Sequence, residues 1–240
     1  MTNEKYQFHS FLTYKNIVHG ISLKTLGSMK RQDDQQIDRK KLALFAKSLG
    51  INDKIICMRQ IHSGTVSLID DLDHLQISET DGLMSNKKHI PLAVLTADCL
   101  PILFFDPKNE AIGIAHAGYK GLLSHIIENM IHRFVSSFKS DPKDILVGVG
   151  PSIEMTCYEV GEELIDQFQK TFPKFKNTFV KKDGQFYLGL REIAEQCFEK
   201  EGILKENIEV MDICTKCDIN FYSYRSGDKD GRFVSIISLV

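Results

Sequence analysis

The chain has no charge excess of either sign. Its 30 lysines and arginines face 32 aspartates and glutamates, for a net charge of −2, so no global field draws it to nucleic acid or to an anionic membrane. It has no run of the ~18 continuous apolar residues that a membrane span needs. Its first residues lack the basic-then-apolar pattern of a secretory signal. These absences predict a cytoplasmic protein that seeks neither nucleic acid nor membrane, and they make any anion site local. Internal repeats, low-complexity tracts and Pro- or Gly-rich linkers are missing as well, so residues 1–240 read as one domain, long enough for one sizeable core. In a reducing compartment the six cysteines, Cys57, Cys99, Cys157, Cys197, Cys214 and Cys217, are first read as buried small hydrophobes, metal ligands or a nucleophile rather than as disulfides.

Apolar residues make up 42% of the chain, and their periodicity changes along it. Residues 33–50 predict a helix with Leu42, Phe45, Ala46 and Leu49 on one face and Gly50 at its end. Residues 55–61, 65–69, 91–96, 102–105 and 111–117 read as strands, the last followed by a helix over 121–138. Beyond Asp141-Pro142 come a strand at 145–149, a helix at 161–171, a hairpin over 179–188 around Asp183-Gly184, a helix at 191–201, and strands at 208–213 and 233–240. Strands outnumber helices and do not alternate strictly with them, which predicts an α+β fold of mixed sheets flanked by helices.

Three chemistry-bearing residues fall within or at the ends of apolar strands: His62, Cys99 and His116. Imidazole and thiolate together suit Zn²⁺, and three protein ligands leave a position for water or substrate. Their wide spacing matches no short motif such as His-Glu-x-x-His, and two core histidines beside an inert cysteine account for it equally. The same residues also suit a nucleophile: Cys99, with His116 as base and Asp81 or Asp98 orienting it. The segment from His116 to Gly121 joins a strand to a helix through Gly118, Gly121 and Lys120, which fits an anion at a helix start, although it is not a Walker A loop. Arg39 and Arg225 are further anion candidates, each open to a surface reading. Cys214-Thr-Lys-Cys217 has CxxC spacing with no second pair, so a structural role is expected. His125 and His132, on the 121–138 helix, read as surface or packing residues, and His9, His74 and His89 carry no motif.

Several segments taken in order resemble the YfiH-like family, long labelled multicopper polyphenol oxidoreductases or laccase-domain proteins and more recently purine nucleoside phosphorylases. They are Gln60-Ile-His62, Thr80-Asp-Gly82, Thr96-Ala-Asp-Cys99-Leu-Pro, Ala115-His-Ala-Gly118, Gly150-Pro-Ser-Ile153, Cys157-Tyr-Glu-Val-Gly161, Cys214-Thr, Tyr222-Ser-Tyr-Arg225 and Gly231-Arg232. The resemblance implies that His62, Cys99 and His116 hold a metal, zinc or copper, beside a purine nucleoside pocket. It implies phosphorolysis of adenosine, inosine and methylthioadenosine, together with adenosine deamination. On that reading phosphate sits near Gly118 and Lys120, with Arg225 and Arg39 as further contacts, and Asp81 and Asp98 are the candidate catalytic groups. The chain departs from the family at Tyr119-Lys120, where Trp-Arg is usual, and at Leu23-Lys-Thr-Leu-Gly-Ser28, where a Gly-Gly-Ser stretch is usual. A copper phenol oxidase, a metal-free cysteine hydrolase and a non-enzymatic purine binder are the competing readings, and the sequence leaves the oligomeric state open.

Overall fold

The computed structural model of the protein describes residues 5–31 and 36–240. Its layers follow from side-chain alternation. Along the strand Leu92–Thr96, Leu92 and Val94 point one way and Ala93 and Leu95 the other, as a period of two demands. The first pair packs with Leu103, Phe105, Ile112 and Ile114 of a second sheet. The second pair packs with Leu42, Phe45, Ala46 and Leu49 of the helix Arg39–Leu49. In the second sheet, Ile102 and Phe104 face away from the first, onto helices Ile126–Phe138 and Leu190–Lys200. Phe104 lies between Phe134 and Phe198 and is fully buried, worth about 1.5–3 kcal/mol on its own. The order through the molecule is helix, sheet, sheet, helices.

Both large sheets are six-stranded and mixed, the α+β architecture expected from the pattern. The first runs Lys5–Tyr6, Ile17–Ser22, Phe233–Leu239, Leu92–Thr96, Ile56–Met58, Gln76–Ile77. The second runs Ile208–Val210, Leu146–Val149, Leu100–Asp106, Ala111–Ala117, Gly82–Ser85, Val66–Leu68. Residues 97–99 carry the chain directly from Leu92–Thr96 in the first sheet to Leu100–Asp106 in the second. A three-stranded sheet holds the hairpin Phe179–Lys182 and Gln185–Leu188 together with Glu159–Val160.

Several expected boundaries move for identifiable reasons. The helix expected over 33–50 begins at Arg39, because the Asp38 carboxylate accepts from the Lys41 N–H and caps it; residues 33–35 of the expected helix lie outside the described residues. The strand expected at 55–61 stops at Met58, because the Asp81 carboxylate takes the N–H groups of residues 61–63 out of any ladder. The helix expected over 121–138 is two, Tyr119–Leu123 and Ile126–Phe138, with His125 between them at φ +59°. The break turns the Ser124 carbonyl toward Gly64, where any Cβ would collide with that oxygen. The strand Ile17–Ser22, in the middle of the first sheet, has no clear sequence signal because His19 and Gly20 interrupt its apolar pattern.

Candidate active site

His62, Cys99 and His116 converge where the two sheets exchange the chain. His116 is the penultimate residue of Ala111–Ala117, Cys99 ends the 97–99 crossover, and His62 sits in the loop after Ile56–Met58. Their ligand atoms lie within 4.8 Å of one another, and the two imidazole rings meet edge to face at 4.7 Å. His62 and Asp98 both hold positive φ, +61° and +89°. Such conformations persist only where the surroundings hold them, and both residues are held by carboxylates.

Asp81 does most of that holding. It is completely buried. One carboxylate oxygen accepts from the backbone of His62 (3.0 Å) and from His116 Nδ1 (2.8 Å). The other accepts from the Ile61 and Ser63 N–H groups and from Ser63 Oγ. Burial would raise its pKa, but the bonds from His116 and Ser63 outweigh burial and lower it to about 2. An ionised Asp81 fixes the proton of His116 on Nδ1, which leaves Nε2 as the lone-pair nitrogen, the usual support for a metal-binding histidine. Asp81 thus joins His116, through Nδ1, to the backbone of the His62 loop. Asp98 is likewise committed: Oδ1 accepts from Thr215 Oγ1 (2.7 Å), Oδ2 from the Arg225 N–H (2.7 Å), and its carbonyl from the Ile153 N–H. It ties three segments to the crossover and does not orient His116.

The donor set fits a metal ion. Two imidazoles and one thiolate match zinc chemistry, and Gly118 keeps the space beside them open: a Cβ there would lie 2.8 Å from Cys99 Sγ and 3.3 Å from His62 Cδ2. Burial pushes the Cys99 thiol up, but neighbouring His116 and His62 outweigh it and bring its pKa down to about 6. Burial disfavours His116⁺, yet the Cys99 thiolate and Asp81 raise its pKa to about 9. Each of the two groups thus favours the charged form of the other.

All three residues line a cavity of about 990 Å³. Four cations, Lys30, Arg59, Arg225 and Arg232, share its wall, and Asp98 is its one carboxylate among the described residues. The Arg225 guanidinium stacks over Tyr158 at 5.0 Å and donates to the Glu159 carbonyl. Burial and the Arg232 charge hold Lys30 below the usual lysine value, against the opposing charge of Asp230. Arg59 is exposed and has no side-chain hydrogen bond or ion pair among the described residues. Sequence reasoning missed Arg59, although its place three residues before His62 was a usable signal. Tyr158 was missed too; burial and the nearby Cys99 charge raise its pKa, so it keeps its phenolic proton.

Two expected anion contacts are placed elsewhere. Arg39 spends its guanidinium on the Ile55 and Leu75 carbonyls, both at 2.7 Å, and pins the first helix to the sheet. Lys120 is exposed at the second position of a five-residue helix, its Nζ 5.9 Å from the Tyr119 ring, and is not among the lining residues. The turn that buries Gly121 and Leu122 points it to solvent.

The Bacillus subtilis purine nucleoside phosphorylase YlmD is 33% identical over 170 residues, covering 69% of this chain and 61% of that protein. The Mus musculus purine nucleoside phosphorylase LACC1 is 28% identical over 242 residues, covering 96% of this chain and 55% of that protein. The chain thus spans less than two thirds of the length of either relative. The crystal structure of the Bacillus licheniformis hypothetical protein YfiH matches with a TM-score of 0.84 at 28% identity, covering 93% of each chain. The model of the multi-copper polyphenol oxidoreductase laccase family matches residues 19–240, and the chain belongs to that family.

Proposed function

We propose that the chain is a zinc-dependent purine nucleoside phosphorylase. It takes adenosine, inosine and S-methyl-5′-thioadenosine with phosphate to the free base and the (methylthio)ribose 1-phosphate, and it deaminates adenosine in the same cavity. The observation that carries this reading is the cavity's make-up: an open His62–Cys99–His116 donor set facing four cations and three tyrosines, Tyr119, Tyr158 and Tyr224. A volume of about 990 Å³ is at the upper end for small-molecule sites, enough for a nucleoside beside phosphate. Nucleosides are uncharged, so an excess of cations argues for an anionic second substrate.

Phosphorolysis joins a phosphate oxygen to C1′ while the C1′–N9 bond breaks. The purine leaves with the bonding pair and takes up a proton. Arg59 and Arg225 hold the phosphate, Arg225 with its orientation set by Tyr158 and the Glu159 carbonyl. The tyrosines offer aromatic faces to the base. Deamination adds water at C6 and releases ammonia. A zinc ion held by His62, Cys99 and His116 would supply Lewis acidity. Asp81 keeps His116 in the tautomer and orientation that holding the ion requires.

Incubation with adenosine or inosine, with and without phosphate, tests the proposal. Phosphate-dependent release of base and ribose 1-phosphate is expected, with inosine as a second product from adenosine. No product above a Cys99→Ala control overturns it. Full activity after chelation, lost on thiol alkylation, would instead make Cys99 a nucleophile with His116 as base and Asp81 orienting it. Oxygen uptake with a phenol, restored by copper alone, would make the site an oxidase.

A further inference from the structure

A second group of thiols meets outside the His62–Cys99–His116 set. The sulfurs of Cys157, Cys214 and Cys217 lie within 4.8 Å of one another, Cys157 and Cys217 at 3.4 Å, and all three are free cysteines. Local structure brings them together. Cys214 and Cys217 bracket a tight turn in which the Cys217 and Asp218 N–H groups donate to the Cys214 carbonyl, so CxxC spacing puts both sulfurs on one side. Cys157 closes the single turn Met155–Cys157. A bridge between Ser152 and Cys214 fixes the two segments to each other, with the Thr215 N–H donating to the Ser152 carbonyl at 3.0 Å.

Packing alone does not account for this group. A free cysteine that serves as a small hydrophobe is normally buried, yet Cys217 is exposed and Cys157 half-buried. We propose that Cys157, Cys214 and Cys217 form a second metal site, which binds one thiophilic d¹⁰ ion, Zn²⁺ or Cu⁺. A tetrahedral ion at about 2.3 Å from each sulfur sets the sulfurs about 3.8 Å apart, within reach of small side-chain rotations from the observed distances. The exposed Cys217 side leaves room for a water or an added ligand. The ion clamps two segments that build the cavity wall: Tyr158, next to Cys157, lines the cavity, and Thr215, next to Cys214, donates to Asp98.

The full-length His62→Ala/Cys99→Ala protein isolates this site from the first. After chelation and anaerobic reduction it is titrated with Co²⁺, and the bound cobalt is then challenged with Zn²⁺ or Cu⁺. One equivalent is expected, with thiolate-to-cobalt charge-transfer absorption that disappears when Cys214→Ser is added. Which ion displaces the cobalt at the lower concentration tells zinc from copper. Elemental analysis of a single Cys157→Ser variant gives a second readout that does not depend on the double variant folding: it loses one of the two equivalents held by the wild type. No charge-transfer band in a folded double variant, or a Cys157→Ser protein with the wild-type metal content, overturns the proposal.

Discussion

Replacing Gly118 with alanine perturbs the reaction centre while leaving the backbone at rest. Gly118 has φ −86° and ψ 178°, ordinary extended values for any residue, so the substitution adds no torsional strain. The new Cβ would nevertheless stand 2.8 Å from Cys99 Sγ and 3.3 Å from His62 Cδ2. Ordinary contact starts near about 3.5 Å, so Cys99 Sγ must give way by roughly 0.7 Å and His62 Cδ2 by roughly 0.2 Å. Cys99 has little freedom, because its crossover is held by the Asp98 bonds to Thr215, Arg225 and Ile153. A misplacement of about 1 Å in a reacting group costs on the order of 10²-fold, and kcat/KM for inosine should fall roughly 10- to 100-fold. Stability should fall by no more than about 2.6 kcal/mol, since crowding costs about 1–3 kcal/mol and a stiffer unfolded chain offsets about 0.4–1 kcal/mol of it. Urea unfolding, zinc content and phosphorolysis measured on one preparation give the answer. A folded Gly118→Ala protein with wild-type zinc content and wild-type kcat/KM would refute the reasoning.

Other perturbations separate positioning from binding. Asp81→Asn should weaken zinc binding about 10- to 100-fold in a competitive chelator titration, and should lower stability by about 3 kcal/mol, because the buried carboxylate accepts from three N–H groups, a hydroxyl and an imidazole. Arg59→Ala should raise KM for phosphate about 10-fold, the loss of one charge-assisted contact, whereas Lys120→Ala should leave it unchanged; phosphate-dependent initial rates make the comparison. Arg39→Ala should cost about 2 kcal/mol in urea unfolding without altering KM, since its guanidinium is bound to two carbonyls. His19 gives the pH dependence: burial lowers its pKa to about 4, against Glu209, and its Nε2 accepts the Phe8 N–H. It is neutral when folded, so this stabilisation is whole above pH 6.5. It is lost as pH falls from 6.5 through about 4, by about 3 kcal/mol, and His19→Gln should flatten that slope of the urea midpoint.

Strands whose apolar pattern runs unbroken were legible from sequence: Ala111–Ala117 and Leu92–Thr96 lie where the pattern puts them. Elements whose limits are set by distant side chains were not. The early end of Ile56–Met58 depends on Asp81, and the helix break at His125 sets the Ser124 carbonyl against Gly64, each far away in the chain. In the candidate site, the motif order brought out His62, Cys99 and His116, and the structure brings them within 4.8 Å. The charges were harder to read. Arg39 and Lys120 carry the right chemistry, but one is spent on carbonyls and the other faces solvent, while Arg59 and Lys30 reach the cavity from segments with no recognisable phosphate motif. Whether an arginine is free or committed is decided by its neighbours in space, which sequence spacing does not encode. The same holds for Cys157, which joins the CxxC pair only through the fold.

Zinc reconstitution tests the central claim most directly. The chelated wild-type protein is titrated with Zn²⁺ while phosphate-dependent cleavage of inosine is followed, beside His62→Ala under the same conditions. The account predicts no cleavage by the chelated protein, recovery that saturates as the His62–Cys99–His116 site fills, and no recovery in His62→Ala. Full cleavage by the zinc-free wild type, or full recovery in His62→Ala, would contradict it.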